Sequence, residues 1–314
     1  MLVFALLAGT TAAFAVTEVL KLEPSPISRP RFDRIFSPTC ECPQSIADLR
    51  LRLREADTID AVIVNADGTL VRTLAAGAPE EAGRLVLRWD GENDAGAIVP
   101  DGPYRLRIHL DDERRTIVIP NLVRVDTEPP PVELLGLSPR SLSPDGDGRA
   151  DRATIRFRLG ERARPLILVD GEPAPRGEVR AAGRRSLVWP GTAGGRPLPA
   201  GFYRVAVRAR DRAGNVSAPT AAIVVRIRYI ELAEGRLTAR VRGALRFQVA
   251  TDARHFRWEL ARRGRARSAL LAGATSAGTV TVPLPRRIRA GRYVLRVTAN
   301  DHGDRGGVVV RRRR

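Results

Sequence analysis

Three aspartates in the stretch 145–151, DGDGRAD, are the residues best suited to hold a metal ion. Asp145, Asp147 and Asp151 occupy relative positions 1, 3 and 7, and two glycines keep the backbone between them flexible. Calcium takes several hard oxygen ligands, so three converging carboxylates could bind it. Position 12 is Arg156, however, so the bidentate glutamate of an EF-hand loop is absent. The pattern leaves two interpretations, a calcium site and an Asx-type turn without metal, and it favours the turn.

The two cysteines of the chain, Cys40 and Cys42, are separated by one residue. Together with three scattered histidines they cannot complete a zinc site. A disulfide between them is sterically feasible in a tight turn, and an exported compartment would allow it to form. The alternatives are two free thiols, or pairing with another chain or redox use. We predict the intramolecular disulfide.

Arginine dominates the charge of the chain. The sequence has 53 basic and 35 acidic residues, a net charge of +18, and all but one of the basic residues are arginine. This bias indicates genome composition more than binding, yet the net charge rises from −5 over residues 1–131 to +9 over 132–228 and +14 over 229–314. The last segment could bind a polyanion, although a solvated arginine-rich surface is the favoured interpretation. The candidate residues are Arg262, Arg263, Arg265, Arg267, Arg286, Arg287 and Arg289.

The available residue types disfavour both catalysis and nucleic-acid binding. His109, His255 and His302 are widely separated, and no Ser/His/Asp set or metal-ligand spacing can be assembled within one predicted domain. The aromatic residues fall at inward strand positions, which leaves no exposed platform for stacking bases. We therefore predict a non-enzymatic protein with no cofactor, apart from the calcium considered above.

An internal repeat of about 100 residues organises the chain. The motifs W-x-G and P-x-G-x-Y-R recur with an offset of 100 residues at the tryptophan and 99 at the tyrosine, and A-G-R-Y at 290–293 is a weaker third copy. The tryptophans are predicted to pack in hydrophobic cores and the glycines to form turns. The motif residues are Trp89, Gly91, Gly102 and Tyr104 in the first copy and Trp189, Gly191, Gly201 and Tyr203 in the second.

Apolar residues that alternate with arginines predict strands along most of the chain. Leu49, Leu51 and Leu53 are typical, and the D-G pairs at 67–68 and 170–171 indicate hairpins. No segment has a convincing long helical period. We predict an all-β fold, with three tandem Ig-like antiparallel β-sandwiches behind an N-terminal hydrophobic segment. The predicted parts are a signal or membrane anchor at 1–20, a linker at 21–31, domain 1 at 32–125, a proline-rich linker at 126–131, domain 2 at 132–228 and a basic domain 3 at 229–314.

A resemblance to a known family rests on four short motifs. They are S-P near a domain start, W-x-G, P-x-G-x-Y-R and the turn DRAGN at 211–215. Together they resemble the immunoglobulin-like domain of flagellar hook-capping proteins and are similar to related modules at the ends of bacterial secreted proteins. The first two copies carry the resemblance. The hook-assembly region of that family has no counterpart here, so the resemblance implies an Ig-like fold and no hook-capping role.

The first 20 residues form a hydrophobic segment whose fate bears on location. The apolar run of residues 2–16 is longer than the core of a typical signal peptide and shorter than a minimal membrane-spanning helix. A-F-A at 13–15 fits a cleavage pattern, although no basic residue precedes the run. The alternatives are an uncleaved anchor, which we favour, a cleaved signal and a buried N-terminal segment. Basic residues after the run argue for a cytoplasmic C-terminal side, but interleaved acidic residues and the domain type favour the outside.

These patterns predict a membrane-anchored or secreted bacterial protein whose domains lie outside the cytoplasm. It would act as a structural spacer or an adhesive, protein-interaction module of the cell envelope. Its partners would be other envelope proteins or a cell-wall polymer, with membrane contact through residues 1–20. The alternative is a polyanion-binding envelope protein that works through its basic third domain. A further alternative is an accessory module of an enzyme.

Overall fold

The computed structural model describes residues 25–174, 177–264, 269–276 and 278–312. Over these residues the chain consists of strands and one 3-10 turn, Pro43–Ser45, so the predicted all-β class is confirmed. None of the described residues forms a helix long and apolar enough to cross a membrane. The predicted signal or anchor at 1–20 lies outside the described residues.

The chain divides into two compact units, Met1–Glu128 with Arg212–Asn215, and Pro129–Asp211 with Val216–Arg314. It nevertheless has three separate hydrophobic cores, one in each predicted domain. The exact boundaries at 126–131 and 228–229 stay predictions.

Eight strands build the sandwich of the first unit: β1 (Ile27–Phe32), β2 (Ile35–Phe36), β3 (Ala47–Leu53), β4 (Asp57–Val64), β5 (Leu70–Glu80), β6 (Gly83–Trp89), β7 (Gly102–Leu110) and β8 (Arg115–Val125). A three-stranded sheet, β1-β3-β6, and a five-stranded sheet, β2-β8-β7-β4-β5, contribute to one core. All pairs are antiparallel except the short β2–β8 pair at one edge. Two sheets around a shared apolar core define a β-sandwich.

The second unit begins with ten strands: β9 (Val132–Ser138), β10 (Ser141–Leu142), β11 (Ala153–Leu159), β12 (Arg164–Val169), β13 (Glu172–Pro173), β14 (Gly183–Trp189), β15 (Thr192–Ala193), β16 (Arg196–Pro197), β17 (Gly201–Arg210) and β18 (Ile223–Ile227). The sheets β14-β11-β9 and β10-β18-β17-β12-β13 repeat the arrangement of the first sandwich, including a parallel edge pair, β10–β18. The same topology in both copies explains why the sequence motifs recur with a constant offset.

The second unit ends with eight strands: β19 (Ile230–Leu232), β20 (Arg236–Arg240), β21 (Ala244–Thr251), β22 (Phe256–Arg262), β23 (Ala269–Thr275), β24 (Thr279–Pro283), β25 (Gly291–Ala299) and β26 (His302–Arg311). The sheets β19-β21-β24 and β20-β26-β25-β22-β23 again share one core, and β20 pairs in parallel with β26. This third copy is therefore built on the same plan, although its sequence retains little of the motif.

Strand register explains the alternating sequence. In the β3–β6 pair, Leu49 lies opposite Leu87 and Leu51 opposite Leu85, and all four side chains are buried. Arg52, the next residue along β3, is exposed to solvent. Because successive side chains of a strand point to opposite faces, each apolar residue enters the core and each arginine leaves it. The predicted hairpins are also present, with D-G at 67–68 between β4 and β5 and at 170–171 between β12 and β13.

The W-x-G and S-P motifs are two halves of one contact. Gly91 and Gly191 both have positive φ, 80° and 65°, and each lies against the proline of the S-P motif. A Cβ atom would come within 2.8 Å of Pro38 at the first site and 3.0 Å of Pro144 at the second. Only glycine combines this backbone conformation with such close approach. The contact fixes Pro144 at the start of the DGDGRAD stretch.

A tyrosine hydrogen bond recurs in all three copies. The hydroxyl groups of Tyr104, Tyr203 and Tyr293 donate to the main-chain carbonyl four residues earlier, at 2.7, 2.9 and 2.8 Å. Each bond connects the beginning of a strand to the loop that precedes it. Because the third copy keeps this bond, its A-G-R-Y sequence at 290–293 occupies the place of the P-x-G-x-Y motif.

Candidate functional site

The motif tryptophans belong to the cores and do not form a ligand platform. Trp89 and Trp189 are both completely buried. Each indole N–H donates to a main-chain oxygen three residues later, Glu92 O and Thr192 O, at 2.9 Å in both copies. Their only polar group is thus satisfied inside the protein. Functional chemistry must therefore come from loops and outer faces.

The strongest concentration of chemistry lies in the loop between β10 and β11, which we call the acidic loop (residues 143–151). One carboxylate oxygen from each of Asp145, Asp147 and Asp151 lies within 4.8 Å of the others. The backbone amides of Gly146 and Gly148 each donate to Asp151, at 2.8 Å. These two bonds fold the loop around the Asp151 carboxylate and bring the three acidic side chains together.

Short-range hydrogen bonds of the Asx type are also present in the acidic loop. The Arg149 amide donates to Asp147 Oδ1 at 2.8 Å, and the Asp147 amide donates to Asp145 Oδ1 at 3.3 Å. A carboxylate oxygen has two lone pairs, so an oxygen that accepts one amide bond can still coordinate a cation. The predicted Asx turn and the predicted calcium site are therefore compatible in one loop.

Asn300, from the hairpin turn between β25 and β26, reaches the acidic loop within the second unit. Its side-chain amide donates to Asp145 Oδ2 at 3.0 Å and to Asp147 Oδ2 at 3.3 Å. Sequence reasoning missed this residue because it follows Asp145 by 155 positions. The available signal was the polar pair Asn300-Asp301 between two alternating segments, which indicates a hairpin but not its neighbour.

Asp252, just after β21, is the second residue that the sequence did not reveal. Both of its carboxylate oxygens are shielded from solvent and accept no hydrogen bond from any described residue. Burial raises the pKa of Asp252, and the nearby Asp145 and Asp147 carboxylates raise it further. The Ser143 hydroxyl and the Asp252 amide act on the pKa in the opposite direction, but neither has hydrogen-bond geometry to the carboxylate. The Asp252 carboxylate thus lies beside the acidic loop, near Asp145 and Asp147.

Cys40 and Cys42 are joined by a disulfide in the first unit, with their Cα atoms 5.2 Å apart. Gly214, which belongs to the same compact unit, lies against the two sulfur atoms with φ of 106°. A Cβ at this glycine would come within 3.1 Å of Cys40 Sγ. The glycine of the DRAGN turn therefore provides space for the disulfide, a role that the sequence alone did not indicate.

The basic candidates of the third predicted domain are only partly described. Arg262 and Arg263 are exposed at the end of β22. Arg286, Arg287 and Arg289 are exposed in the loop before β25, where Arg287 donates to the Leu270 carbonyl at 3.0 Å. The remaining two candidates, Arg265 and Arg267, lie outside the described residues.

Two further basic surfaces lie in the first two sandwiches, where sequence reasoning attributed the arginines to composition. Arg52 lies directly opposite Arg84 between β3 and β6, and Arg158 lies directly opposite Arg184 between β11 and β14. Like charges in this arrangement are destabilising. The two sandwiches have this unfavourable pair at the same place in their topology, so the basic character is not confined to the third copy.

His109 and His302 each contact a neighbouring side chain. His109 contacts Thr116 at 2.9 Å and Asp111 at 3.5 Å, which superficially suggests a nucleophile, base and acid. His109 lies on β7 and Thr116 on β8, where the strands are paired, and Asp111 directly follows β7. Stabilising an oxyanion requires amide donors aimed at the reacting carbonyl, and β7 is paired on both sides, with β4 and with β8. His302 stacks on Tyr229 with ring centroids 3.6 Å apart.

Comparison with known proteins identifies the first sandwich. Residues 47–113 match the family model of the FlgD Ig-like domain. The predicted resemblance is therefore confirmed for this copy, which contains the W-x-G and P-x-G-x-Y-R motifs. None of the curated proteins matches the chain.

Solved structures of tandem Ig-like and fibronectin-like domains are weakly similar. The fibronectin(III)-like modules of Clostridium thermocellum CbhA share 17% identity, cover 64% of this chain and 94% of their own, and have a TM-score of 0.35. The I9–I11 tandem from titin shares 8% identity over 91% of this chain and 100% of its own, with a TM-score of 0.34. The fold assignment rests on the sheet topology of the chain itself, which is that of a tandem Ig-like protein.

Proposed function

We propose that this protein is a non-catalytic structural spacer or protein-interaction module of a bacterial cell envelope. The proposal rests on one observation: the side chains and backbone of the recurring motif residues pack inside the sandwiches. Trp89 and Trp189 are buried, and Gly91 and Gly191 accommodate prolines. An Ig-like fold is typical of non-catalytic modules, in which loops and outer strand faces make the contacts. The repeated topology of this chain thus builds rigid sandwiches and leaves their outer surfaces available for binding.

The exported location is supported by the Cys40–Cys42 disulfide. Disulfides persist in oxidising compartments and are rare in the cytosol of mesophiles. A hydrophobic segment at residues 1–20 would supply either the export signal or the anchor. Under this proposal, other envelope proteins or a cell-wall polymer contact the exposed faces.

Protease treatment of intact bacterial cells that express the full chain tests the location. We expect added trypsin to cleave the protein at arginines of its exposed loops without cell lysis, because such loops would be accessible outside the membrane, whereas the strand backbone is protected by its hydrogen bonds. A cytoplasmic protein in the same cells serves as the control and should stay intact. Protection of the chain until the cells are lysed would contradict an extracytoplasmic role.

Polyanion binding is the second candidate function, and the opposed arginine pairs favour it. Arg52 lies opposite Arg84 and Arg158 opposite Arg184. Glu133 offsets the charge of Arg158 through an ion pair at 3.3 Å, and an anionic polymer would relieve the remaining repulsion in both pairs. Their location extends the proposed surface beyond the third predicted domain.

Elution from an anionic resin tests this second function. We expect the double variant Arg84→Thr/Arg184→Thr to elute at lower salt than the wild-type chain, because two of the repelling guanidinium groups are removed. Arg124→Thr/Arg162→Thr removes the same charge from exposed positions of the first two sandwiches that belong to neither pair and serves as the control. If both double variants shift equally, the retention reflects net charge alone and the specific surface is contradicted.

A further inference from the structure

We propose that Asp145, Asp147, Asp151 and Asp252 form a calcium site at the acidic loop of the second unit. This inference is independent of the proposed function. The first three carboxylates already converge within 4.8 Å. Hard oxygen donors on a flexible loop suit calcium, which takes 6–8 oxygen ligands in adaptable geometry.

The charge balance of this region is the first argument for a cation. No basic side chain among the described residues lies within ion-pair distance of any of the four carboxylates. The Arg149 guanidinium donates to the main-chain carbonyl of Asp252 at 3.2 Å and not to its carboxylate. In a chain with 53 basic and 35 acidic residues, a cluster of three carboxylates with a fourth beside it, none of them ion-paired with an arginine, is unexpected. A bound divalent cation would supply the missing positive charge.

Asp252 provides the second and independent argument. A buried carboxylate without a hydrogen bond is costly, because its charge is removed from water and not compensated. Both carboxylate oxygens of Asp252 are buried without a hydrogen bond. They are close enough to Asp145 and Asp147 for the charges of these residues to raise the pKa of Asp252. Coordination of a shared cation would compensate the Asp252 charge and the charges of the acidic loop together. The Asx-type bonds then serve to orient the ligands and do not replace the metal.

Asn300 adds a neutral partner to this arrangement. Its side-chain amide bridges Asp145 and Asp147 at 3.0 and 3.3 Å, which holds the two carboxylates side by side. Because the ligands come from the loop after β10 and from the loop after β21, a bound ion would join two sandwiches of the second unit. Calcium would therefore stabilise that unit as a whole.

Calorimetric titration of the full chain with calcium chloride tests the site directly. We expect one ion to bind per chain, and the thermal transition of the second unit to move upward, because a ligand that binds only the folded state stabilises it. Asp147→Asn should weaken binding about tenfold or more, since it removes one ligand charge. Asp67→Asn, in the exposed hairpin turn of the first unit, is the matched control and should bind calcium like the wild type.

Asp252→Asn gives a result that a purely structural aspartate would not. With calcium removed by a chelator, we expect the second unit of this variant to melt at a higher temperature than that of the wild type, because the substitution removes an uncompensated buried charge. In saturating calcium, the same variant should melt below the wild type, because it lacks a charged ligand. This reversal of sign would support the site.

Three results would overturn the proposal of a cation site, and a fourth concerns the identity of the ion. One is the absence of both binding heat and thermal shift at millimolar calcium. Another is calcium binding by Asp147→Asn and Asp252→Asn with wild-type affinity. The third is an Asp252→Asn variant that is destabilised equally with and without calcium. An equal thermal shift with magnesium would contradict the choice of calcium as the ion.

Discussion

Replacement of Trp89 by alanine is expected to lower the free energy of unfolding of the first unit by about 3–5 kcal/mol. Trp89 is completely buried and makes edge-to-face contacts with Phe36 and Tyr104, at centroid distances of 5.4 and 5.0 Å. The substitution removes these contacts and leaves a cavity that rigid sheets cannot close. It also leaves the Glu92 carbonyl without its indole donor. Urea denaturation followed by circular dichroism measures the change.

Val86→Thr is the matched control for this substitution. Val86 is on the same strand, β6, but its side chain points to solvent. The replacement keeps a β-branched side chain, so we expect a change within about 0.5 kcal/mol. A loss below about 1 kcal/mol for Trp89→Ala would be inconsistent with a central role of the tryptophan in the core.

Replacement of Gly91 by alanine is the second large expected effect, a loss of about 2–4 kcal/mol in the stability of the same unit. The backbone has φ of 80°, which is unfavourable for any residue with a Cβ. In addition, the new methyl group would lie 2.8 Å from the Cβ and Cγ atoms of Pro38. The rigid proline ring cannot move aside as a long side chain could, so backbone strain and steric overlap act together.

Gly68→Ala separates these two contributions. Gly68 has nearly the same φ, 82°, but a Cβ there would have no atom within 4 Å. We expect this control to lose only about 1–2 kcal/mol, the cost of the left-handed conformation. The difference between the two variants, measured by chemical denaturation, is the cost of the overlap with Pro38. Equal losses at both positions would show that the W-x-G and S-P motifs do not depend on each other.

The strands were predictable because their signal is local. Leu49, Leu51 and Leu53 alternate with arginines, and all three leucines are buried on one face of β3. The period of two follows directly from strand geometry, so no knowledge of distant residues is needed. The repeat was equally accessible, since its two clear copies have the same topology and nearly the same spacing.

The arginines of the outer faces were predicted in position but not in pairing. The sequence showed that Arg52 and Arg158 point outward, yet it gave no register between strands. The structure places each of them opposite another arginine, Arg84 and Arg184. Register depends on turns and on the hydrophobic pattern of both strands together, and therefore lies beyond inspection of one strand.

The sequence by itself determined the all-β class, the internal repeat, the core tryptophans and the three aspartates of the acidic loop, because each follows from residues close together in the chain. Only the tertiary structure revealed that Asp252 and Asn300 reach the same loop and that Gly214 lies against the Cys40–Cys42 disulfide. These neighbours are separated by more than 100 residues along the sequence. Loops carry little periodicity, so their meeting is decided by the tertiary fold within each unit, and in the second unit that fold turns an acidic stretch into a candidate ion site.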